Sequence, residues 1–476
     1  MSELKGRTVL VTGATGYVAS RLIPALGQLG ASVRATSRNP AVLKTRWPDV
    51  EIVASDLLDE TSLTPALTGV EVAFYLVHSM GGSDFESIDR TAAGGFLRAA
   101  ERAGVKRIVY LSGLGSADQD LSEHLKSRQE VGRLLSSGKI PVTELRCAIV
   151  IGSGSVAFDM LRYLTERLPA MIAPRWLSTR IQPLAEADLV RYLIAAANEP
   201  NPGGVVEIGG RDVLTYREMI LRYAARRRLR RLIASVPVLS PRLSSYWVNL
   251  ITPVAASIAR PLIEGLRNEV VVTDESSSAR YPDIDPVGYD EAIVAALERQ
   301  VDSLRTAVVT AAPPEPGMEV GLLSDNRTLS VRSSVDRAAA LLFSLGGDPS
   351  WYPFRLAWWV RARIDSLVGG VGLWWKRPDG RLSEGAKVDW WTVEAAADRA
   401  LLLKAEMKTP GEAWLSFRVD PSGEGSELQQ SAFFLPRGLL GRAYWWVLLP
   451  VHAPIFRSMA TRLVSRMEHD EAPRPS

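Results

Sequence analysis

The sequence predicts two unlike domains in a chain of 476 residues: a doubly wound α/β domain with a small helical lobe, followed by an α+β domain. Three observations support this. Short β-branched runs alternate with helical patterns over residues 7–150, a glycine-containing turn follows the first strand, and the composition changes after a proline-rich stretch at 310–319. Such alternation is typical of right-handed βαβ units in a parallel sheet that is covered on both faces.

The overall composition is that of an ordinary globular protein. Hydrophobic residues make up 46% and charged residues 23%, and the net charge of +3 is too small to favour a nucleic-acid partner. The single cysteine, Cys147, excludes an intramolecular disulfide and multi-cysteine zinc sites, and no His-Glu-x-x-His pattern is present, so we predict no metal site. The N-terminal sequence "MSELKGRTVLVTGATG" lacks the features of a secretion signal. We therefore expect a cytoplasmic location.

The predicted strands of the first domain come in order along the chain. They are "TVLVTG", "ASVRATSR", "VEIVASD", "VEVAFYLVHS", "VKRIVYLSG" and "VTELRCAIVIG", and helical segments such as "FESIDRTAAGGFLRAAERAG" separate them. From about residue 151 to 300 the pattern loosens into helices with proline interruptions, ending in "GYDEAIVAALERQVDSLRTAV". We interpret this part as a small helical substrate lobe.

The proline-rich stretch "TAAPPEPGME" predicts a semi-rigid linker because it has no apolar periodicity. We place the first domain at 1–305, the linker at 306–324 and the second domain at 325–472. Ten of the thirteen tryptophans lie between Trp351 and Trp446, which marks the second domain as different in kind.

The turn "VLVTGATGYVAS" predicts a nucleotide site. Gly13 and Gly16 fall between a strand and a helix, where glycine allows a tight turn and close approach to a pyrophosphate, and the helix N-terminus offers amide donors. Ala19 stands where a third glycine is usual and is small enough for close helix packing. The alternative is a plain strand-to-helix connection.

The second and third strands suggest how the nucleotide is recognised. Arg38, next to Ser37, stands where a ribose-binding carboxylate is usual, and this favours the 2'-phosphate of NADP over NAD. A solvated loop arginine is the alternative. Asp56 is a candidate for binding the adenine amino group, or else for capping the helix that begins near Asp59 or Thr61.

Several segments together resemble the atypical short-chain dehydrogenase/reductase superfamily, near its extended branch and its isoflavone-reductase-like and complex I accessory-subunit-like relatives. They are "TGATGYVASRLIPAL", "SRNP", "SDLLD", "YLVHSM", "YLSGLG" and "HLKSRQEVG", and the resemblance covers residues 6–300. It implies an NADP-binding Rossmann fold. The implied cofactor contacts are Gly13, Thr15, Gly16, Tyr17, Val18, Arg38, Asp56, Leu57 and Val77.

The resemblance also implies a catalytic arrangement, from which this chain departs. In that superfamily a serine after the fifth strand polarises a carbonyl, and Ser112 matches it; His124 and Arg128 stand where a tyrosine and a lysine are usual. Histidine can exchange a proton near neutral pH, whereas arginine stays charged and cannot join a proton relay. The alternative is that both belong to an exposed helix face. His78, at the end of the fourth strand, either faces the nicotinamide side or is a loop histidine, and the loop histidine is the favoured interpretation.

The second domain predicts antiparallel strands, with turns at "TPGEA" and "PSGEGSE", and a long C-terminal helix. This order resembles the START-related helix-grip (SRPBCC) superfamily, and "VDWWTVE" and "SAFFLPRGLLGRAYWW" resemble the uncharacterised DUF2867 family. The resemblance implies an apolar ligand between sheet and helix, lined by Trp390, Trp391, Trp414 and Phe434. The alternative is that these rings fill the core.

The function that these observations favour is an NADP-dependent reductase or epimerase-like oxidoreductase. Its substrate would be a hydrophobic carbonyl or hydroxyl compound, bound with help from the second domain. Alternatives are a non-catalytic NADPH-binding scaffold or sensor and a carrier of hydrophobic ligands. Residues 243–259 are uncharged and predict a buried helix, and "RRRLRR" at 226–231 predicts either a solvated face or peripheral contact with the inner face of a membrane.

Overall fold

The computed structural model describes residues 4–78, 84–115, 120–173, 175–235, 252, 262–311, 315, 317–347, 353–367, 369–370, 377–423 and 425–469. The chain divides into two compact units. The first unit is Met1–Gln300 with Glu315–Gly317, and the second unit is Val301–Pro314 with Met318–Ser476. The uncharged segment at 243–259 lies outside the described residues except for Thr252.

The strands of the first unit are β1 (Thr8–Val11), β2 (Ser32–Ser37), β3 (Glu51–Ala54), β4 (Val72–Tyr75), β5 (Arg107–Gly113), β6 (Val142–Cys147), β7 (Val150–Ile151), β8 (Ala170–Ala173), β9 (Arg180–Ile181), β10 (Leu184–Ala185), β11 (Gly204–Ile208), β12 (Leu214–Thr215) and β13 (Leu232–Ser235). Seven of them form one sheet in the order β11-β6-β5-β4-β1-β2-β3. Every neighbouring pair in it is parallel. The order reverses between β1 and β4, which opens a crevice at their carboxyl ends.

The helices of the first unit are α1 (Tyr17–Gln28), α2 (Pro40–Arg46), α3 (Glu60–Leu67), α4 (Phe85–Ala103), α5 (Glu123–Leu135), α6 (Val156–Arg167), α7 (Glu186–Asn198), α8 (Tyr216–Arg226), α9 (Ser276–Arg280) and α10 (Tyr289–Thr310), the last of which continues into the second unit. They cover both faces of the sheet. In β1, Val9 and Val11 belong to one core and Leu10 to the other. The doubly wound α/β prediction is therefore confirmed.

A helical lobe follows β6, as the sequence predicts. Its short strands pair as β7 with β10, β9 with β12 and β8 with β13, and α6, α8 and α10 pack around Phe158, Met219, Tyr223 and Ile293. Thr215 and Glu218 form a capping box that starts α8. The buried Arg227 guanidinium lies 2.7 Å from Glu166, so this charge is paired inside the lobe.

Part of the predicted linker packs on the first unit. The Glu315 carboxylate lies 2.6 Å from Arg21 Nη1 and 3.2 Å from Arg299 Nη2. The Ser153 hydroxyl donates a hydrogen bond of 3.1 Å to the carbonyl of Gly317. Glu315–Gly317 is therefore held by charge and hydrogen bonding and is part of the first unit's structure.

The second unit contains one antiparallel sheet and a long C-terminal helix. Its elements are β14 (Leu323–Val331), α11 (Val335–Leu342), α12 (Arg355–Leu367), β15 (Lys387–Val388), β16 (Trp391–Ala397), β17 (Ala400–Ala405), β18 (Gly411–Ser422), β19 (Gly425–Pro436) and α13 (Gly438–His469). The strand order is β14-β19-β18-β17-β16-β15. Leu428 and Ala432 of β19 share a core with Phe456, Met459 and Leu463 of α13.

The four aromatic residues predicted to line one gap are buried but lie in different places. Trp390 and Trp391 belong to the core between the sheet and α13, and the Phe434 ring stacks on Trp445 with a centroid distance of 5.8 Å. Trp414 packs instead with Leu304 and other residues in a separate core on the opposite face of the sheet. The prediction that Trp414 lines the gap was wrong. Successive residues of a strand point to opposite faces of the sheet, so Trp414 and its neighbour Leu415 face different cores.

One buried side chain in the second unit gives a stability prediction. Gln430 lies between Leu428 and Ala432 on the core face of β19, and neither of its amide atoms hydrogen-bonds to a described residue. Gln430→Leu should therefore raise the free energy of unfolding by about 1–2 kcal/mol, since it removes a buried unpaired amide. Chemical denaturation measures this, with Gln429→Leu on the exposed face as the control. Destabilisation by Gln430→Leu would show that the amide has a bound partner.

Candidate active site

The turn after β1 requires glycine at position 13. Gly13 has a φ of +63°, and a Cβ there would lie 2.9 Å from the carbonyl oxygen of Leu76 and 3.2 Å from Cγ2 of Val77. Gly16 N donates a hydrogen bond of 2.8 Å to the carbonyl of Gly13 and closes the turn. The backbone is thus in a left-handed conformation and in close contact with the end of β4.

The N-terminus of α1 is available to an anion. Thr15 and Gly16 are exposed, and the first turn of the helix has no acidic residue and no side-chain cap. The first amide groups and the positive end of the helix dipole therefore face outward from the turn. Val18 is half-buried against the core, which fixes the helix on the sheet. A pyrophosphate fits this turn by charge and by the room that Gly13 leaves.

The side chain of Tyr17 is engaged within the protein. Its hydroxyl donates a hydrogen bond of 2.5 Å to Glu186 Oε2, and Glu186 Oε1 lies 3.0 Å from Arg21 Nε. Burial, reinforced by the Glu186 carboxylate, raises the pKa of Tyr17 well above its ordinary value. Tyr17 therefore stays protonated, and we expect any cofactor contact to come from its backbone.

The residues predicted to recognise the nucleoside lie after β2 and β3. Arg38 is exposed, and none of the ion pairs among the described residues involves it. Asp56 Oδ1 accepts a hydrogen bond of 3.0 Å from Leu58 N. The cap of α3 is Asp59, which accepts from Thr61 N at 3.0 Å, so the capping alternative for Asp56 was wrong. Leu57 is half-buried against the core beside β4.

A chain of three polar side chains, one buried and two half-buried, lies at the carboxyl edge of the sheet. His78 follows β4 and its side chain is 13% exposed; its Nδ1 lies 3.0 Å from Oδ2 of the buried Asp89 on α4. His78 Nε2 lies 2.9 Å from Nδ1 of His124, in the first turn of α5. Two histidine rings and a carboxylate are therefore connected by hydrogen bonds.

The Asp89 carboxylate sets the direction of these hydrogen bonds. When ionised, it can only accept, so it takes the Nδ1 proton of His78, and His78 Nε2 is then left as an acceptor for the Nδ1 proton of His124. His124 Nε2 then carries the free lone pair. Burial, then the neighbouring His78 and Arg128, lowers the pKa of His124 to about 2. Burial also lowers the pKa of His78, although its hydrogen bond to Asp89 acts in the opposite direction.

Ser112 and Arg128 complete the predicted catalytic set, in different roles. Ser112 is 1% exposed near the end of β5, and its Oγ forms no well-aligned hydrogen bond with a described residue. Because Tyr75 of β4 pairs with Tyr110 of β5, Ser112 lies at the same edge as Val77. Arg128 Nη2 donates a hydrogen bond of 2.5 Å to the carbonyl of Leu111, so this guanidinium is bound to the strand backbone.

Sequence reasoning missed Asp89 and the partners of His78. His78 does lie in the loop after β4, but its side chain is mostly buried and hydrogen-bonded at both nitrogens. A signal existed, because a polar residue directly after a parallel strand lies at the edge where ligands bind. For Asp89, no local pattern shows that an acid in "FESIDR" faces inward, since its partner comes from a different element.

Replacing Gly13 tests whether the turn after β1 binds the phosphates of NADPH. Gly13→Ala should weaken NADPH binding by roughly 30-fold or more and destabilise the first unit by about 2 kcal/mol, because alanine would be strained and would contact Leu76. The control is Gly27→Ala on α1, where a Cβ meets nothing within 4 Å. NADPH titration and thermal unfolding measure both effects. Equal NADPH affinity of Gly13→Ala and the unchanged protein would rule out this turn as the phosphate site.

Replacing Arg38 tests nucleotide selectivity. Arg38→Ala should lower the affinity for NADPH roughly 10- to 100-fold and leave NADH affinity unchanged, because only the 2'-phosphate loses its charge-assisted bond. Paired titrations with the two nucleotides measure this, with Arg133→Ala on α5 as the control. A parallel loss for both nucleotides would argue against a 2'-phosphate contact.

Comparisons with known proteins agree with this geometry. The NAD(P)H-binding family matches residues 13–139, and the family described as a protein of unknown function, DUF2867, matches residues 321–459. Cinnamoyl-CoA reductase 1 of Petunia hybrida is 30% identical over 130 residues, which are 25% of this chain and 39% of that protein. A 3β-hydroxysteroid dehydrogenase/Δ5→4-isomerase of Mycobacterium tuberculosis is 35% identical over 115 residues, 22% of this chain and 31% of that protein. These matches span well under half of each relative.

Solved structures show the same fold for the first unit. NADPH-dependent quinone oxidoreductase QOR2 of Escherichia coli, complexed with NADPH, gives a TM-score of 0.50 at 20% identity and covers 60% of this chain and 98% of its own. Triphenylmethane reductase of Citrobacter also gives 0.50 at 20% identity, covering 61% of this chain and 99% of its own. The first unit thus has a Rossmann-type fold with a match to the NAD(P)H-binding family, and the C-terminal part of the chain matches DUF2867.

Proposed function

We propose that this chain is an NADPH-dependent oxidoreductase acting on a carbonyl compound or the corresponding alcohol, with His124 as the residue that exchanges the proton. The observation that carries the proposal is the hydrogen-bonded chain of Asp89, His78 and His124 at the carboxyl edge of the sheet. The relatives named as reductases and dehydrogenases support the same class of reaction.

The site residues have complementary roles in this reaction. NADPH supplies the hydride when it is bound. Ser112 has a buried hydroxyl without a well-aligned partner among the described residues, and it would donate a hydrogen bond to the carbonyl oxygen. His124 Nε2 would deliver the proton to that oxygen in reduction, or remove it in oxidation.

The second histidine lets His124 work with its low pKa. When His124 takes up a proton at Nε2, its Nδ1 proton can pass to His78 Nε2, 2.9 Å away. The positive charge then lies on His78, next to the Asp89 carboxylate, where it is stabilised. The pKa values of both rings are lowered, so the pair is neutral at pH 7 and accepts protons. Oxidation is therefore favoured at neutral and higher pH, and reduction is favoured as the pH falls.

The helical lobe supports a hydrophobic substrate. A cavity of about 60 Å³ lies in the lobe. Its lining residues are mainly aliphatic and include Ile149, Met160, Leu161, Leu164, Ile220 and Leu266. It would hold an apolar part of a substrate whose polar group lies elsewhere. That the second unit also takes part in binding this substrate remains a prediction.

A second candidate is an NADPH-binding scaffold or sensor without turnover. The observation that favours it is Arg128, which stands at the lysine position and is bound to the Leu111 carbonyl. Such a protein would bind NADPH through the turn at Gly13 and would leave it unoxidised.

The role of His124 is tested by substitution. His124→Ala should lower kcat for NADPH-dependent reduction of hydrophobic aldehydes and ketones by roughly 100-fold or more, because the proton exchanger is lost, and should leave NADPH affinity unchanged. The control is Glu123→Ala, an exposed neighbour on α5. If none of the tested aldehydes and ketones oxidises NADPH, the scaffold is favoured. If His124→Ala keeps full activity, His124 has no part in the mechanism.

The contribution of Asp89 is tested by the pH dependence. Asp89 stabilises the charged form of His78, so Asp89→Asn should move the rise in reduction rate to lower pH. The measurement is kcat/KM for reduction between pH 5 and 8 in the unchanged protein and the variant. Identical pH profiles would mean that the charge does not reside on His78.

A further inference from the structure

The helix α12 turns an apolar face to the solvent. Its exposed side chains recur every three or four residues and include Leu356, Trp359, Val360, Ile364 and Leu367, the last at 86% exposure. The opposite face holds the buried Trp358 and Asp365, and Asp365 accepts a hydrogen bond of 2.8 Å from Lys408 N. The helix thus exposes apolar side chains where a surface helix of a globular domain usually exposes polar ones.

The first half of α13 also exposes apolar side chains. The exposed positions between 439 and 454 are Leu439, Leu440, Ala443, Trp446, Val447, Pro450, Val451 and Pro454, and none of them is charged. Val447 is 72% exposed and Trp446 is 57% exposed. At 1.5 Å per residue, this stripe is about 24 Å long. Apolar surface of this extent on a folded protein marks an interaction site.

The exposed charged residues on the two helices beside these faces are basic, and the acidic neighbour Asp325 is paired with Arg327. The Arg363 guanidinium lies 5.3 Å from the centre of the Trp359 ring, and Arg442 and Arg457 lie at the two ends of the α13 stripe. The sequence has no acidic residue between 438 and 467. Trp358 of α12 and Phe456 of α13 belong to the same core, so the two helices cover the same part of the second unit.

We propose that this surface, formed by the exposed faces of α12 and residues 439–454 of α13, docks on a bilayer that contains anionic phospholipid. Exposed tryptophans and aliphatic side chains enter the headgroup boundary, and arginines bind the lipid phosphates. Among the described helices, none is long and apolar enough to cross a membrane. In the proposed complex the two helices lie in the plane of the interface.

Charge favours lipid over a second copy of the chain. In a two-fold symmetric dimer this surface would pack against the same surface of the second copy. Arg363 and Arg442 would then lie near the arginines of that copy, and neither helix face has an exposed carboxylate to pair with them. The basic run at 226–231 is a weaker membrane candidate. Arg227 is paired with Glu166, Arg226 with Asp290, and Arg231 donates to the Thr165 carbonyl.

Vesicle co-sedimentation of the full chain tests the docking. Vesicles of phosphatidylcholine alone are compared with vesicles of phosphatidylcholine and phosphatidylglycerol in equal amounts. We expect binding to the mixed vesicles and roughly tenfold weaker binding to the neutral ones, with further weakening at high salt. Trp446→Glu with Val447→Glu should reduce binding roughly 100-fold. Leu221→Glu, a matched change at an exposed position on α8, should have no effect.

Two further measurements make the result decisive. NADPH titration and near-ultraviolet circular dichroism of the Trp446→Glu, Val447→Glu variant establish that it is folded. Brominated lipid should quench tryptophan fluorescence in the unchanged chain and less in Trp446→Phe. Failure to bind mixed vesicles at low salt would overturn the proposal. The proposal would also be overturned if the unchanged chain formed a concentration-dependent dimer that does not bind vesicles and the double variant stayed monomeric. The surface would then be an interface between copies.

Discussion

The candidate active site at the carboxyl edge of the sheet depends on one constraint: the left-handed backbone at Gly13 and its close contact with the end of β4. Thr12 Oγ1 donates to the Phe74 carbonyl and accepts from Leu76 N, both at 3.1 Å. These two hydrogen bonds join the ends of β1 and β4 at the point where the strand order reverses. The same few residues therefore form the phosphate turn and position His78, three residues beyond β4, for its partners.

The second organising feature is the cost of keeping two histidine rings inside the protein. Burial disfavours the charged form of each ring, and the Asp89 carboxylate compensates for a transient positive charge on His78. A tyrosine and lysine pair achieves proton exchange with a charged amine next to the phenol. In the mechanism proposed for this chain, the Asp89 carboxylate lies one ring further from the reacting atom, and Arg128 opposes protonation of His124.

The sequence was sufficient for features that depend on local pattern. Strand alternation, the Gly13 turn and the long C-terminal helix follow from spacing and residue type, and the structure has each of them. Contacts between distant segments could not be read in this way. The inward direction of Asp89, the bond from Arg128 to Leu111 and the placement of Trp414 on the far face of the sheet each depend on which elements meet in three dimensions.

The course of the connecting segment has a consequence for dividing the chain. The polypeptide passes into the second unit after Gln300, returns for Glu315–Gly317 and leaves again at Met318. An N-terminal fragment ending at residue 305 would lack the carboxylate that pairs with Arg21 and Arg299. A C-terminal fragment beginning at 325 would lack Leu304, Val308 and Met318, which cover Trp414. The two units are thus interleaved in sequence, and a single cut yields neither of them whole.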